Sequence, residues 1–199
     1  MPLLLSDPEA NIILRSSDQI CFRVHKSVLA MSSPFFEDLL SLPRPPDEEL
    51  VDGLPVIQLS EDADLLNSLV SFFYPMRRVQ PRSYEKVFGL LNACQKYDMV
   101  LIQLYIRDEV KRGTFPAPTK AQASRAYVMA SSLGLVPEME HAAQLTMDEP
   151  MTFESLGEDL RLFSGQVLRE LIRYRAANRR RQPKSLEPTN HSYNVLNFF

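Results

Sequence analysis

Cys21 and His25 stand four residues apart and are the neighbouring pair in this sequence with the chemistry to grip a metal ion. A structural zinc site needs four such ligands. The remaining candidates, Cys94, His141 and His191, fall on separate stretches of chain, so no metal centre is expected. His25 could also accept a proton, but its neighbours offer no nucleophile at a usable spacing. It reads instead as a histidine that orients a turn. Paired acids are the other chemistry-bearing feature: Glu48 with Glu49, and Glu61 with Asp62. Solvation of a loop explains the first pair, and favourable charge at a helix N-terminus explains the second. No G-x-S-x-G elbow, glycine-rich phosphate loop or zinc-protease motif occurs. No catalytic residue, cofactor or metal is therefore expected, and the chain reads as a non-enzyme.

The elements around His25 carry more information than its ring. Ile20, Phe22 and Val24 alternate with Cys21, Arg23 and His25, the period of a strand with one face in a core. Asn11 to Arg15 is a second strand-like run, and Ser16-Ser17-Asp18-Gln19 supplies turn chemistry between them. A β-hairpin is predicted. After Lys26 the period lengthens, and Val28, Leu29 and Met31 fit a short helix. Ser33-Pro34 has the form of an N-cap followed by proline at the first helical position, where a missing N–H costs nothing. Phe35, Phe36, Leu39 and Leu40 follow at helical spacing.

Leu42 to Pro55 is proline-rich and acidic and is expected to carry no regular ladder or helix. Val56 to Leu59 is predicted as a strand. Ser60 is expected to cap a helix with the buried stripe Leu65, Leu66, Leu69, Val70 and Phe73, stopped by Pro75. Ser83 is expected to cap another, with Tyr84, Val87, Phe88, Leu91, Cys94 and Tyr97 inward. A helix over Val100–Val110 places Leu101, Leu104, Tyr105 and Asp108 at spacings of three and four, with Arg107, Glu109, Lys111 and Arg112 on a solvated face. Core packing is the expectation for Phe35/Phe36 and Phe72/Phe73. Gly113, Pro116 and Pro118 then interrupt the chain.

Three further helices are predicted: Ala121–Leu133 closed by Gly134, Val136–Met147, and a long one over Phe153–Arg175 that Gly157 and Gly165 weaken or break. The last stretch holds Arg179-Arg180-Arg181 and Lys184 and is expected to be disordered. These arginines suit either a nuclear-localisation signal or the positive cap of a long helix. Leu196, Phe198 and Phe199 dock on the domain or anchor a partner.

Composition narrows the class. Apolar residues make up 45% of the chain, enough for a core, and the net charge of −3 draws no nucleic acid. No apolar run is long enough to span a bilayer, and Met1–Leu5 is too short for a signal peptide. Two cysteines within apolar elements point to buried thiols in a reducing compartment. The expected location is cytoplasmic or nuclear, with no membrane partner.

His25-Lys26-Ser27-Val28-Leu29-Ala30 with Ser33-Pro34-Phe35-Phe36, and later Gln95-Lys96-Tyr97-Asp98-Met99, resemble the signature of the BTB/POZ family. The proline-rich loop followed by Asp52-Gly53-Leu54-Pro55 is similar to its fungal, basidiomycete-type branch. The resemblance implies an α+β fold: a BTB/POZ-like helical cluster capped by a small β-sheet, followed by a helical C-terminal extension. It divides the chain into a BTB/POZ-like domain over 8–112, an extension over 113–178 and a basic tail over 179–199.

The resemblance further implies a non-enzymatic protein–protein interaction module. An adaptor for a cullin-type ubiquitin ligase is the first form, and a transcriptional regulator recruiting co-repressors is the second. The family often pairs an aspartate in the opening strand with a basic residue after the histidine. Here those positions are Asn11 and Lys26, so one charge is missing. Leu50-Val51-Asp52, with Glu48 just ahead, is the loose counterpart of the hydrophobic-x-acid motif of cullin-binding members. Asn11, Lys26, Glu48, Leu50 and Asp52 are thus the candidate partner-binding residues. With little chain ahead of Pro8, self-association is expected to proceed without an N-terminal domain swap.

Overall fold

Alternating apolar residues and a Ser-Ser-Asp-Gln turn make the first two strands, β1 (Ile12–Arg15) and β2 (Cys21–Val24), an antiparallel hairpin with Ile12 opposite Val24. The structure is a computed structural model that describes residues 9–43, 49–74, 79–148, 152 and 156–178. The Ser16 hydroxyl accepts the Ile20 amide at 3.0 Å, and Gln19 turns the chain at φ +65°. Cys21 is buried although its alternation places it outward, because the hairpin is covered on both sides: Ile13 is buried as well as Ile12 and Leu14.

The loop expectation for Leu42–Pro55 needs correction. Its end forms β3 (Leu50–Val51), paired with β4 (Leu54–Gln58), which starts two residues before the predicted Val56. Asp52 and Gly53 both lie at positive φ, +53° and +76°, the two-residue turn whose twist matches the flanking strands. Pro55 is tolerated in β4 because Val56, the next residue, donates to Glu49 O at 3.3 Å. β4 runs parallel to β1, giving the order β2-β1-β4-β3.

Ser33 ends α1 (Lys26–Ser32) and caps α2 (Pro34–Ser41), accepting the Phe36 amide at 3.1 Å. Phe36 is buried, but Phe35 is partly exposed, so only one of that pair is core. α3 (Ala63–Val70) is capped by Asp62, not Ser60; its carboxylate accepts the Leu65 amide at 2.8 Å. Ser60 and Glu61 are drawn elsewhere, as described below. Leu66, Leu69 and Val70 are buried, whereas Leu65 and Phe73 are only partly so, and Pro75 lies outside the described residues. α4 (Tyr84–Lys96) starts at the Ser83 cap and buries the whole predicted stripe. Gly89 lets α3 approach: a Cβ there would sit 3.2 Å from Leu65 Cδ1.

α5 (Val100–Lys111) faces the other way from the prediction. Leu101 is 82% exposed and Leu104 55%, while Ile106 and Glu109 are buried. Tyr105 turns between the rings of Phe72 and Phe115, at 5.9 and 6.3 Å. The helix carries apolar residues on two faces, and packing selects the one through Ile106.

The chain divides into two compact units, Met1–Thr119 and Lys120–Phe199. In the second, α6 (Ala123–Ser132) closes at Gly134, φ +64°, and α7 (Val136–Leu145) begins with Pro137 in its first turn. The single helix predicted over Phe153–Arg175 is broken. A 3₁₀ segment spans Gly157–Leu162, and α8 (Gly165–Asn178) starts afresh where Ser164 Oγ accepts the Val167 amide at 3.2 Å. Residues 153–155 and the tail 179–199 lie outside the described residues. The buried Arg175 donates to the Thr146 carbonyl at the end of α7, satisfying an acceptor the helix leaves open. The α+β class, with a small sheet on a helical cluster and a helical extension after it, holds as expected from the sequence.

Candidate protein-interaction surface

The strand-to-helix turn at His25 is held from outside its own segment. His25 is the N-cap of α1 but makes no side-chain cap bond. Asn11 Oδ1, reaching from beside β1, accepts the Lys26 backbone amide at 2.8 Å and takes over that task. The Tyr74 hydroxyl accepts the His25 amide at 3.0 Å and lies 3.0 Å from Nδ1. Asn11 and Lys26 therefore do meet, but through the backbone of Lys26, which leaves its ammonium for other partners.

Lys26 lines a groove of about 440 Å³. Ile12 of β1, Leu39 and Leu40 of α2, and Val56 and Ile57 of β4 supply apolar walls. Leu42, Pro43, Glu49 and Pro55 complete it. Glu49 is held in a bidentate pair by Arg15, both bonds at 2.6 Å, which keeps its carboxyl below the usual range. The hairpin is pinned a second time where Arg23 donates to Asp52 at 2.6 Å. Leu50, on the same hairpin, is 57% exposed. Glu48 lies outside the described residues. The structure thus groups Asn11 with Lys26 and Leu50 with Asp52. Sequence reasoning missed the wall residues and Glu49, because three separated elements bring them together. The signal for the hairpin was present in Asp52-Gly53.

A second surface gathers around the joint between α2 and the α4–α5 turn. Ser33 Oγ donates to the Tyr97 carbonyl at 2.5 Å, and the Phe35 ring lies 5.5 Å from that of Tyr97. Exposed apolar side chains flank the joint: Met31 (88%), Phe35, Val100, Leu101 and Leu104. Single exposed apolar residues are ordinary; these five fall on α1, α2 and α5, the elements that lead into and out of the joint.

Beneath the joint lies a buried acid. The Glu61 side chain is 6% exposed and accepts from the Tyr97 hydroxyl and from Lys96 Nζ, the latter at 3.1 Å. Burial pushes its pKa up, but the Tyr97 and Lys96 bonds outweigh that and hold it below the ordinary value. Burial, with the Glu61 bond second, raises the Tyr97 hydroxyl. The Tyr97 ring stacks on Phe36 at 5.2 Å. Glu61 is therefore not the solvated first-turn charge that the sequence suggested. It ties the start of α3 to the end of α4, and its partners are committed to structure rather than to a substrate.

The thiols match that picture. Cys21 and Cys94 are both buried and outside any disulfide, and burial pushes Cys94 up to about 12, far from a reactive thiolate. His141 is exposed on α7, and His191 lies outside the described residues. Among the described residues no group of three His, Cys, Asp or Glu could hold a metal ion, and no helix is long and apolar enough to cross a membrane.

Residues 4–111 match the BTB/POZ domain family, more than half of the chain. The chain belongs to the BTB/POZ family. Among solved structures, the BTB domain of zebrafish PATZ1 is similar over 52% of this chain and 76% of that one, at 19% identity and a TM-score of 0.40. Comparison with curated proteins gives no match. The BTB/POZ domain generally mediates protein–protein interaction, and its members are typically non-catalytic. That function fits a unit that leaves Met31, Phe35, Val100, Leu101 and Leu104 exposed.

Proposed function

We propose that this chain is an adaptor that docks a cullin-type ubiquitin-ligase scaffold through the apolar surface at the α2–α5 joint. The observation that carries the reading is the outward face of α5: Val100, Leu101 and Leu104 are exposed, as are Phe35 of α2 and Met31 of α1. An amphipathic helix normally buries such a face. The exposed Leu50, at the head of Leu50-Val51-Asp52 on the β3–β4 hairpin, supports a hydrophobic-x-acid contact, with Glu48 as a further partner-binding residue. The helices after Lys120 would then carry or support the substrate-binding function. The proline-rich loop ahead of Asp52-Gly53 supports placing the chain in the fungal branch of the family.

Calorimetric titration of the full chain with the N-terminal region of the cullin that serves BTB adaptors tests this. Micromolar binding that Leu101→Asp removes is the expected result. No binding by a chain shown to be folded rejects the adaptor role.

The groove at Lys26 favours a second reading, a transcriptional regulator that recruits a co-repressor there. It predicts nuclear accumulation that is lost when Arg179 to Arg181 become alanine. Unchanged distribution of that variant counts against it.

A further inference from the structure

We propose that the outward face of α8 binds a nucleic-acid phosphate backbone without regard to base sequence. The proposal concerns the second unit and stands apart from the adaptor reading of the first. The net charge of −3 is an average over unlike stretches. Residues 126–160 hold seven acids and no lysine or arginine, whereas residues 161–184 hold seven arginines, one lysine and the single acid Glu170. A local excess of this size draws polyanions that the chain as a whole does not.

Part of that excess faces solvent on α8. Arg169 and Arg173 are exposed, four residues and so about 6 Å apart along the helix, and Arg161 is exposed in the 3₁₀ segment just ahead. Among the described residues none of the three pairs with a carboxylate. Glu170, three residues before Arg173, accepts from Gln166 at 3.1 Å instead. The helix dipole does not account for these cations. It favours them in the last turn, where Arg175 is buried against the Thr146 carbonyl, and it opposes Arg161 ahead of the N-terminus. Like charges four residues apart on a helix also repel. The face therefore holds its cations at a cost in stability that an anionic partner removes.

The face suits phosphate better than a protein or a bilayer. Ile172, 51% exposed, is the large apolar residue that α8 leaves open. Protein interfaces have an apolar core depleted of charge, and a helix lying in a membrane buries a wide apolar side. Nucleic-acid interfaces are polar and strongly positive. Arginine in place of lysine fits as well, since its planar fork meets two phosphate oxygens at once. Tyr174, the one aromatic residue of α8, is half-buried, so this helix offers bases no stacking platform and reads charge alone.

The probe is a fluorescein-labelled oligouridylate of about 20 nucleotides, titrated with the full chain and read by anisotropy from about 50 to about 200 mM salt. Micromolar affinity at low salt that falls steeply as salt rises is the expected result. Arg169→Gln with Arg173→Gln should lower the slope of log affinity against log salt by about 1.4, since each phosphate neutralised on a single strand contributes about 0.7. It should weaken binding about tenfold at about 0.1 M salt. Arg169→Lys with Arg173→Lys should keep the slope, because charge is conserved. Both pairs should unfold at the wild-type urea midpoint, because the side chains face solvent. Changing Arg179 to Arg181 into glutamine should leave a salt-dependent affinity that the α8 pair then removes.

No binding at about 50 mM salt, an unchanged slope in the glutamine pair, or complete loss with the Arg179 to Arg181 variant alone overturns the proposal. So does equal competition by polyglutamate, since the partner is then an acidic protein segment. Tighter binding to phosphatidylserine vesicles than to the oligonucleotide, lost in the glutamine pair, overturns it in favour of a membrane surface.

Discussion

Tyr97→Phe removes one hydroxyl and nothing else from the buried joint. The ring contacts with Phe36 and Phe35, at 5.2 and 5.5 Å, survive the change. What is lost is a hydrogen bond to an ionised, 6%-exposed carboxylate, a class worth about 1.5–3 kcal/mol. Glu61 then keeps Lys96, itself partly exposed, and the Ser60 hydroxyl, at 3.1 and 3.2 Å, against the cost of its burial. The pH dependence follows from the direction of the Glu61 shift. A carboxylate whose pKa is lowered in the fold stabilises it above the usual value of 4.5, and loses that contribution as pH falls through the lowered value. In the variant the lowering is weaker, so the loss sets in at higher pH. The stability gap between the two proteins should be widest near neutrality. It should shrink in acid towards the worth of a neutral hydrogen bond, about 0.5–1.5 kcal/mol. Urea unfolding followed by circular dichroism, from about pH 7 down to about pH 3, measures the gap directly. A gap that stays constant with pH would refute the assignment of the hydroxyl to the Glu61 carboxylate. So would a neutral-pH gap below about 0.5 kcal/mol.

Leu101→Asp should change stability by no more than about 0.5 kcal/mol, because the side chain already faces solvent; a larger loss of the urea midpoint would mean that α5 packs on that face after all. Phe36→Asp should abolish the folded state of the first unit, since it drives a charge into a fully buried site; cooperative unfolding at the wild-type temperature would show α2 to be misplaced. Gly53→Ala should cost about 1 kcal/mol, all of it from backbone strain at φ +76°, because nothing lies within 4 Å of the added methyl; no loss in thermal melting would argue against the two-residue turn. Both thiols should resist alkylation at about pH 8 in the native chain and react only on unfolding; rapid native labelling of Cys94 would contradict its burial.

Much of the fold was legible because its signals are local. Ser33-Pro34 and Ser83 mark helix starts through bonds that reach three residues, to Phe36 and Lys86. The hairpin at Ser16–Gln19 and the buried stripe of α4 depend on periods of two and of three to four. Such features follow from the order of side chains, whatever packs on them later. The family signature around His25 was readable for the same reason.

The sites were decided at longer range. Ser60, Glu61 and Asp62 are all able to cap or charge a helix start. Asp62 became the cap because Tyr97 and Lys96, more than thirty residues on, claim Glu61. The apolar residues of α5 fit two faces, and only the rings of Phe72 and Phe115 turned Tyr105 inward and left Leu101 and Leu104 outside. Asn11 and Lys26 suggested a weakened charge pair, but the amide of one caps the backbone of the other. By itself, then, the sequence determined most of the elements, the caps at Ser33 and Ser83 and the kind of domain, since each rests on neighbours within a turn or a strand. The groove, the buried acid and the exposed face of α5 needed tertiary structure, because each is made where segments distant in sequence exclude water from one another.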